Sequence, residues 1–366
     1  MYTTRREFLG IAAASGLGVA AAPTRVAAAD PPKSGEPIID PDLPIVDAHH
    51  HLWFLTEAYL ARMETQDDVM TPGWVAVYRR HARYLLDEFL ADVTTGHNVR
   101  ATVFVECGAM YRATGPEAMQ SVGEVEFANG IAAMAASEIF SKVKVCAGIV
   151  GSPNLSLGNA VEEVLRAHIQ AGDGRYRGVR NHPAGGLRDK EFRTGFRWLH
   201  KLGLPYDALV LEPQLPELID LARAFPDTQI ILNHVAILPS PTSQASQQQE
   251  RFPVWRDNIR SLSTLGNVVV KLGGLGMPLP AFKSFMSTPR FTSEQLAEEW
   301  KPYIETCIEA FGANRCMFES NFPVDSGTCS YPVLWNAFKR LAAGASTAEK
   351  TALFSGTAAR VYRLDI

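Results

Sequence analysis

A closed (β/α)8 barrel is the fold this sequence predicts, as one domain from residue 45 to residue 366. Three observations predict it. Eight short β-rich runs alternate with longer stretches of helical periodicity. Most of the runs are near-continuously apolar, as strands buried on both faces are. Polar, ligand-type residues follow the runs, at the ends where barrel enzymes carry their chemistry. An open doubly wound sheet is the alternative. It usually has a Gly-rich phosphate turn after its first strand, and the first turn here reads His-His-His-Leu-Trp. With 46% apolar and 20% charged residues the chain has material for a large core. A net charge of -4 with scattered basic residues points to neither nucleic acid nor an anionic membrane as partner.

Residues 1–29 read as an export signal. Thr4-Arg5-Arg6-Glu7-Phe8-Leu9 is a twin-arginine pattern, and an Ala/Gly-rich apolar run follows from Ile11 to about Ala22. Ala27-Ala28-Ala29 before Asp30 resembles a cleavage site. These features predict passage through the twin-arginine export machinery and a periplasmic or secreted mature chain without a membrane anchor. The alternative is an N-terminal extension with a chance Arg-Arg pair. Residues 30–44, with Pro31, Pro32, Pro37, Pro41 and Pro44, predict an extended leader.

Strands are predicted at about 45–51, 99–105, 143–150, 176–181, 206–211, 228–233, 267–272 and 315–320. The first, Ile45-Val-Asp-Ala-His-His-His51, starts apolar and ends in potential ligands. Side chains alternate along a strand, so Asp47, His49 and His51 are expected on one face and His50 on the other. Neutral imidazole is a common metal ligand. Asp47 would then orient a histidine from behind. The second run ends at Glu106, the fourth at Arg180-Asn181-His182, the fifth at Glu212 and the sixth at Asn233-His234. The seventh carries Lys271, and the eighth ends in Glu319-Ser320-Asn321 with Asp325 beyond. His81, His168 and His200 fall on helical stretches and read as packing or surface residues. Long loops after strands one (Trp53 to about Leu90), six and seven (Gly273 to Arg290) read as a lid over an organic substrate, and Ser243–Gln249 as a mobile low-complexity run. Five cysteines, an odd number without any C-x-x-C, imply no disulfide framework.

The chain resembles the amidohydrolase superfamily, in particular the branch of TIM-barrel hydrolases that includes sugar lactonases and pyrone-dicarboxylate lactonase. The resemblance runs from about Ile45 to the C-terminus. It rests on Val46-Asp-Ala-His-His-His-Leu-Trp53, Ile-Leu-Asn-His234, Val-Lys-Leu-Gly-Gly274 and Cys316-Met-Phe-Glu-Ser-Asn-Phe-Pro-Val324. It implies a histidine ring around a reacting carbonyl, with one divalent metal, usually zinc, in some members and none in others. The expected metal set is His49, His51, His182 and His234. The resemblance also implies a strand-eight aspartate as general base. Here the family's Ser-Asp-Trp-Pro-Val reads Ser320-Asn321-Phe322-Pro323-Val324. An amide cannot take a proton from water at neutral pH. Glu319 and Asp325 are the available substitutes, with Asn321 as hydrogen-bond donor and His234 polarising the carbonyl.

The activity expected is hydrolysis of a lactone or related cyclic ester or amide of a small organic acid or sugar derivative. Arg180, Lys271, Trp53 and Glu106 are expected to bind substrate; a core ion pair of Arg180 with Glu106 or Glu212 is the competing assignment. A decarboxylase on the same histidines and a binding protein that has lost its base are the other readings.

Overall fold

Eight strands pair in parallel and in sequence order: β1 (Ile45–His50), β2 (Val99–Val105), β3 (Lys144–Gly151), β4 (Tyr176–Val179), β5 (Tyr206–Ala208), β6 (Ile230–Leu232), β7 (Val268–Leu272) and β8 (Cys316–Phe318). The structure is a computed structural model, and it describes residues 35–65, 72–238, 245–278 and 282–366. The expected export signal therefore lies outside the described residues.

The sheet curls until β8 returns beside β1. Closure comes just past β8, where Asn321 N donates to His49 O (2.8 Å) and His51 N to Phe322 O (2.8 Å). The result is a nearly closed barrel. A helix follows each strand: α1 (Leu86–Val93), α2 (Val122–Ala136), α3 (Val161–Ala171), α4 (Lys190–Leu202), α5 (Leu215–Ala224), α6 (Ala245–Ser263), α7 (Ser293–Phe311) and α8 (Tyr331–Leu341). Their starts follow local chemistry. Asp189 caps α4 by accepting from Phe192 N at 2.7 Å, and Thr292 with Gln295 forms a reciprocal cap on α7.

The strand pattern explains the layers. Small residues, Val46, Ala48, Ala101, Val103, Val105, Val150, Ile231 and Val269, fill the barrel with Met317. Their neighbours face outward into a second, larger core shared with the helices. The C-terminal helix Thr357–Tyr362 closes the lower end, packing Ala358, Val361 and Tyr362 onto the interior cluster.

Several expectations need correction. Strands β4, β5 and β6 end two, three and one residues earlier than expected, because the chain turns over the rim; His234, Val235 and Ala236 all have positive φ. Ser243 and Thr242 lie outside the described residues, but from Ala245 the low-complexity run is helix α6. The leader is anchored from Glu36 on: Asn336 brackets it by accepting from Ile39 N (3.0 Å) and donating to Pro37 O (3.0 Å), and Lys339 donates to Ile39 O (2.8 Å). All five cysteines are free. Among the described residues no helix is long and apolar enough to cross a membrane.

Candidate active site

The first strand breaks its own alternation. Val46 and Ala48 point into the barrel, while Ile45 packs outside. Asp47 also points outward. Its carboxylate accepts from Ser320 N (2.8 Å), His49 N (3.3 Å) and the Tyr331 hydroxyl (3.0 Å). Regular alternation would next send His49 out and His50 in. The pairing with β2 slips between Asp47 and His50, and this bulge reverses the phase. His49 and His51 therefore face inward. His50 faces out, stacked on Phe89 with ring centroids 4.1 Å apart. The expected shared face of Asp47 with the two histidines is thus corrected: Asp47 ties β1 to β8 through backbone N–H groups and touches no imidazole. Burial pushes its carboxyl up to about 6.

His234 also needs a special backbone to arrive. It follows inward-facing Asn233, so alternation alone would turn it out; its φ of 56° turns it in. Two glycines after β7 make the space. A Cβ on Gly274 would lie 2.3 Å from His234 Nδ1, and one on Gly273 would lie 2.5 Å from Glu319 Cγ. The Gly-Gly pair thus clears room for one side chain from each flanking strand.

Glu319 sits at the centre, fully buried. Its Oε1 accepts from His234 Nδ1 at 2.7 Å. Its Oε2 lies 2.8 Å from His49 Nδ1 but has no aligned hydrogen bond. Lys271 Nζ is 3.3 Å from the same His49 nitrogen, 4.0 Å from Glu319 Oε2 and 2.8 Å from Asp207 Oδ1. Asp207 Oδ1 accepts further bonds from Asn233 Nδ2 (3.0 Å) and the Tyr362 hydroxyl (2.8 Å). Lys271 faces His49 Nδ1, while Arg180 Nη1 (3.3 Å) and His51 Nε2 (3.2 Å) face its Nε2. His51 Nδ1 faces Val105 O at 2.8 Å and must be protonated, which leaves Nε2 to accept. Burial, reinforced by Lys271 beside His49 and Arg180 beside His51, holds both imidazoles well below their ordinary pKa, so both are neutral.

The remaining expected residues divide. Arg180 Nε binds Glu106 Oε1 at 2.6 Å, a further guanidinium nitrogen binds Glu106 O, and Nη1 lies 3.3 Å from His49 Nε2. Arg180 and Glu106 thus form an ion pair beside the histidines. Lys271, expected to bind substrate, has no exposed surface and lies beneath them, engaged by Asp207. Trp53 is buried as well. Its Nε1 donates to His81 O (2.6 Å) and its ring packs against His51, so it buttresses that histidine instead of lining the opening. His182 is exposed at the rim and is not part of the buried donor cluster. Asn321 and Asp325 are both buried and paired: Asn321 Nδ2 donates to Asp325 Oδ1 (2.7 Å), and Gly276 N to Oδ2 (3.0 Å). Burial outweighs these bonds and pushes Asp325 up to about 8. His81, placed on a helix by periodicity, follows the rim helix Pro72–Arg80 and binds Ser326 Oγ at 2.7 Å. His168 packs α3 on α2 through Ser121.

Sequence reading missed Asp207 and Tyr362. A signal existed for Asp207: a carboxylate in one buried apolar strand and an ammonium in another, Lys271, imply each other. Nothing in the sequence marks Tyr362.

The donors fit a divalent metal. One atom each from His49, His234 and Glu319 lie within 4.8 Å of one another, all buried. Two imidazoles and a carboxylate form a known zinc donor set. Glu319 Oε2, buried without an aligned donor, is an electron pair left for a cation. The expected set is revised accordingly: Glu319 joins His49 and His234, His51 flanks His49, and His182 stands apart.

Comparison with known proteins agrees with this construction. The Amidohydrolase family model matches residues 46–364. The chain is 34% identical over 337 residues to y4mH, an uncharacterized protein of Sinorhizobium fredii, covering 88% of this chain and 99% of that one. It is 30% identical over 177 residues to an L-fucono-1,5-lactonase of Burkholderia multivorans, covering 48% of this chain and 57% of that one. In fold it is similar to an amidohydrolase of Burkholderia multivorans solved with bound zinc, with a TM-score of 0.65 and 24% identity over 88% of this chain and 99% of that one. Barrel, rim histidines and a match along nearly the whole barrel converge: this chain belongs to the amidohydrolase family.

Proposed function

We propose that this amidohydrolase hydrolyses a lactone of a small organic acid or sugar derivative. The observation that carries the reading is the buried cluster of His49, His51 and His234 around the Glu319 carboxylate. Similarity to a protein named as an L-fucono-1,5-lactonase supports the substrate class.

Each residue has a task that follows from its bonds. Arg180 presents guanidinium N–H groups to a carbonyl at the rim, where they stabilise the developing oxyanion, and His49 and His51 frame that position. Glu319 takes the proton from attacking water and is oriented by His234. Asp325, raised to about 8, holds its proton at neutral pH and is therefore not the resting base; it positions the Asn321 amide. His49, His234 and Glu319 would hold a divalent metal, and zinc is the ion to test first because a related fold binds it. Such a metal supplies Lewis-acid polarisation of the carbonyl. The twin-arginine pattern supports export to the periplasm or beyond as a folded enzyme, with the export machinery as its partner.

The test is turnover of a panel of 1,4- and 1,5-lactones, L-fucono-1,5-lactone included, followed by acid release with and without added zinc. The expected result is hydrolysis with oxygen from water in the new carboxylate, reduced at least about 100-fold in Glu319→Gln. Release of CO2 from an aromatic acid without water incorporation would move the chain to the lyases. Absence of turnover of lactones and aromatic acids alike in zinc-loaded protein would leave the reading as a binding protein.

A further inference from the structure

A cleft of about 340 Å³ opens between the rim helix Pro72–Arg80 and the loop after β7. Val77, Arg80, Ser287, Thr288, Arg290 and Gly327 line it. Its charge is one-sided. Among the described residues half-buried Arg290 donates only to carbonyl oxygens, those of Ser326 (2.9 Å) and Gly327 (3.1 Å). Among the described residues no carboxylate forms an ion pair with Arg80, at the exposed end of its helix, and Asp92 acts on it from farther away. The two guanidiniums act on the same surroundings: burial first, then Arg80, lowers Arg290, and both arginines hold down the adjacent His81. Ser287 adds a buried hydroxyl oxygen without a hydrogen-bond partner.

Two like charges beside one cleft repel each other, and a half-buried guanidinium without a counter-ion bears an uncompensated desolvation cost. An oxyanion relieves both. It accepts from the planar donor forks of the arginines and from the serine and threonine hydroxyls, the donor combination that recognises carboxylate and phosphate. We infer that Arg80, Arg290, Ser287 and Thr288 form a second binding site, for a small organic or inorganic oxyanion.

The site's position gives it a consequence. Arg290 grips the turn Val324–Gly327, and Ser326 in that turn holds His81 of the lid. The same turn carries Asp325, which positions Asn321. An anion bound between Arg80 and Arg290 fastens the lid helix to the turn that supports the strand-eight residues.

Titration of the full chain with inorganic phosphate and, separately, acetate tests this, each against sodium chloride at matched ionic strength, with thermal stability and calorimetric binding as readouts. Saturable binding and a rise in melting temperature with at least one anion are expected, and the anion that binds tighter identifies the class. Arg80→Gln, an exposed substitution that leaves the core intact, should weaken that binding about tenfold, the loss of one charge-assisted hydrogen-bonding partner. Unchanged binding in Arg80→Gln would put the anion elsewhere, in the histidine cluster for example, and overturn the assignment. Equal effects of phosphate, acetate and chloride in the wild type would overturn it as well. Arg290→Lys, which keeps the charge but loses the fork, should bind less tightly than wild type while folding normally.

Discussion

Gly274→Ala tests the architecture of the site more sharply than removal of any polar group in it. The added Cβ would lie 2.3 Å from His234 Nδ1, 2.4 Å from its Cγ and 2.6 Å from its Cβ. Ordinary contact requires more than 3.4 Å. The ring must therefore retreat by about 1 Å, and its 2.7 Å bond to Glu319 is lost. Two costs add. Gly274 has φ +67, and an alanine in that left-handed region costs about 1–2 kcal/mol. A hydrogen bond to a charged acceptor contributes about 1.5–3 kcal/mol. Destabilisation of roughly 2.5–5 kcal/mol is expected in urea unfolding. Activity should fall about 100-fold even in the folded fraction, because a 1 Å misplacement of a catalytic group has that effect. Gly130→Ala is the control: it sits in helix α2 with open space around it and should be neutral or stabilising by about 0.5–1 kcal/mol. If Gly274→Ala keeps wild-type stability and turnover while Gly130→Ala behaves as stated, His234 is not held against Glu319 as described.

Asp207→Asn removes the counter-charge of buried Lys271 and should cost about 3–5 kcal/mol. Tyr362→Phe, which removes only one of the donors to Asp207, should cost about 1 kcal/mol; equal losses in the two variants would contradict the ion pair. The pH dependence of stability carries a further test. Asp325 is raised to about 8 from 3.8, so it binds its proton more tightly folded than unfolded. Its contribution is fully present below about pH 4 and is lost as pH rises through about 8. Glu124, also raised to about 8, behaves alike, whereas Asp47 completes its loss near pH 6. Asp325→Asn should therefore make the decline in unfolding free energy between pH 6 and 8 shallower by up to about 1.4 kcal/mol per pH unit. An unchanged slope in denaturant melts across that range would show that Asp325 is ionised in the folded chain.

The barrel was legible in the sequence because its signal is local and repeated. Most of the eight β-rich runs record burial on both faces, and polar residues following them mark one rim. His49, His51, His234 and Glu319 stand among the polar residues of that rim, and the resemblance to the amidohydrolases offered Glu319, beside Asp325, in place of the strand-eight base. Their orientation could not. Period-two alternation mistook Asp47 for a partner of the histidines, because a bulge depends on pairing with β2 and leaves no mark in β1 itself. The left-handed turn that brings His234 inward depends on space at Gly274, forty residues further on. The fates of Lys271 and Trp53 depended on partners equally distant in the chain: Asp207 engages the first, and His51 with the carbonyl of His81 encloses the second. Residue type and spacing thus determined which groups meet, since burial preference is a property of each segment. Closure of the sheet decided which of them point inward and which are already satisfied, since hydrogen bonds and free volume belong to pairs of segments and exist only once the strands are side by side.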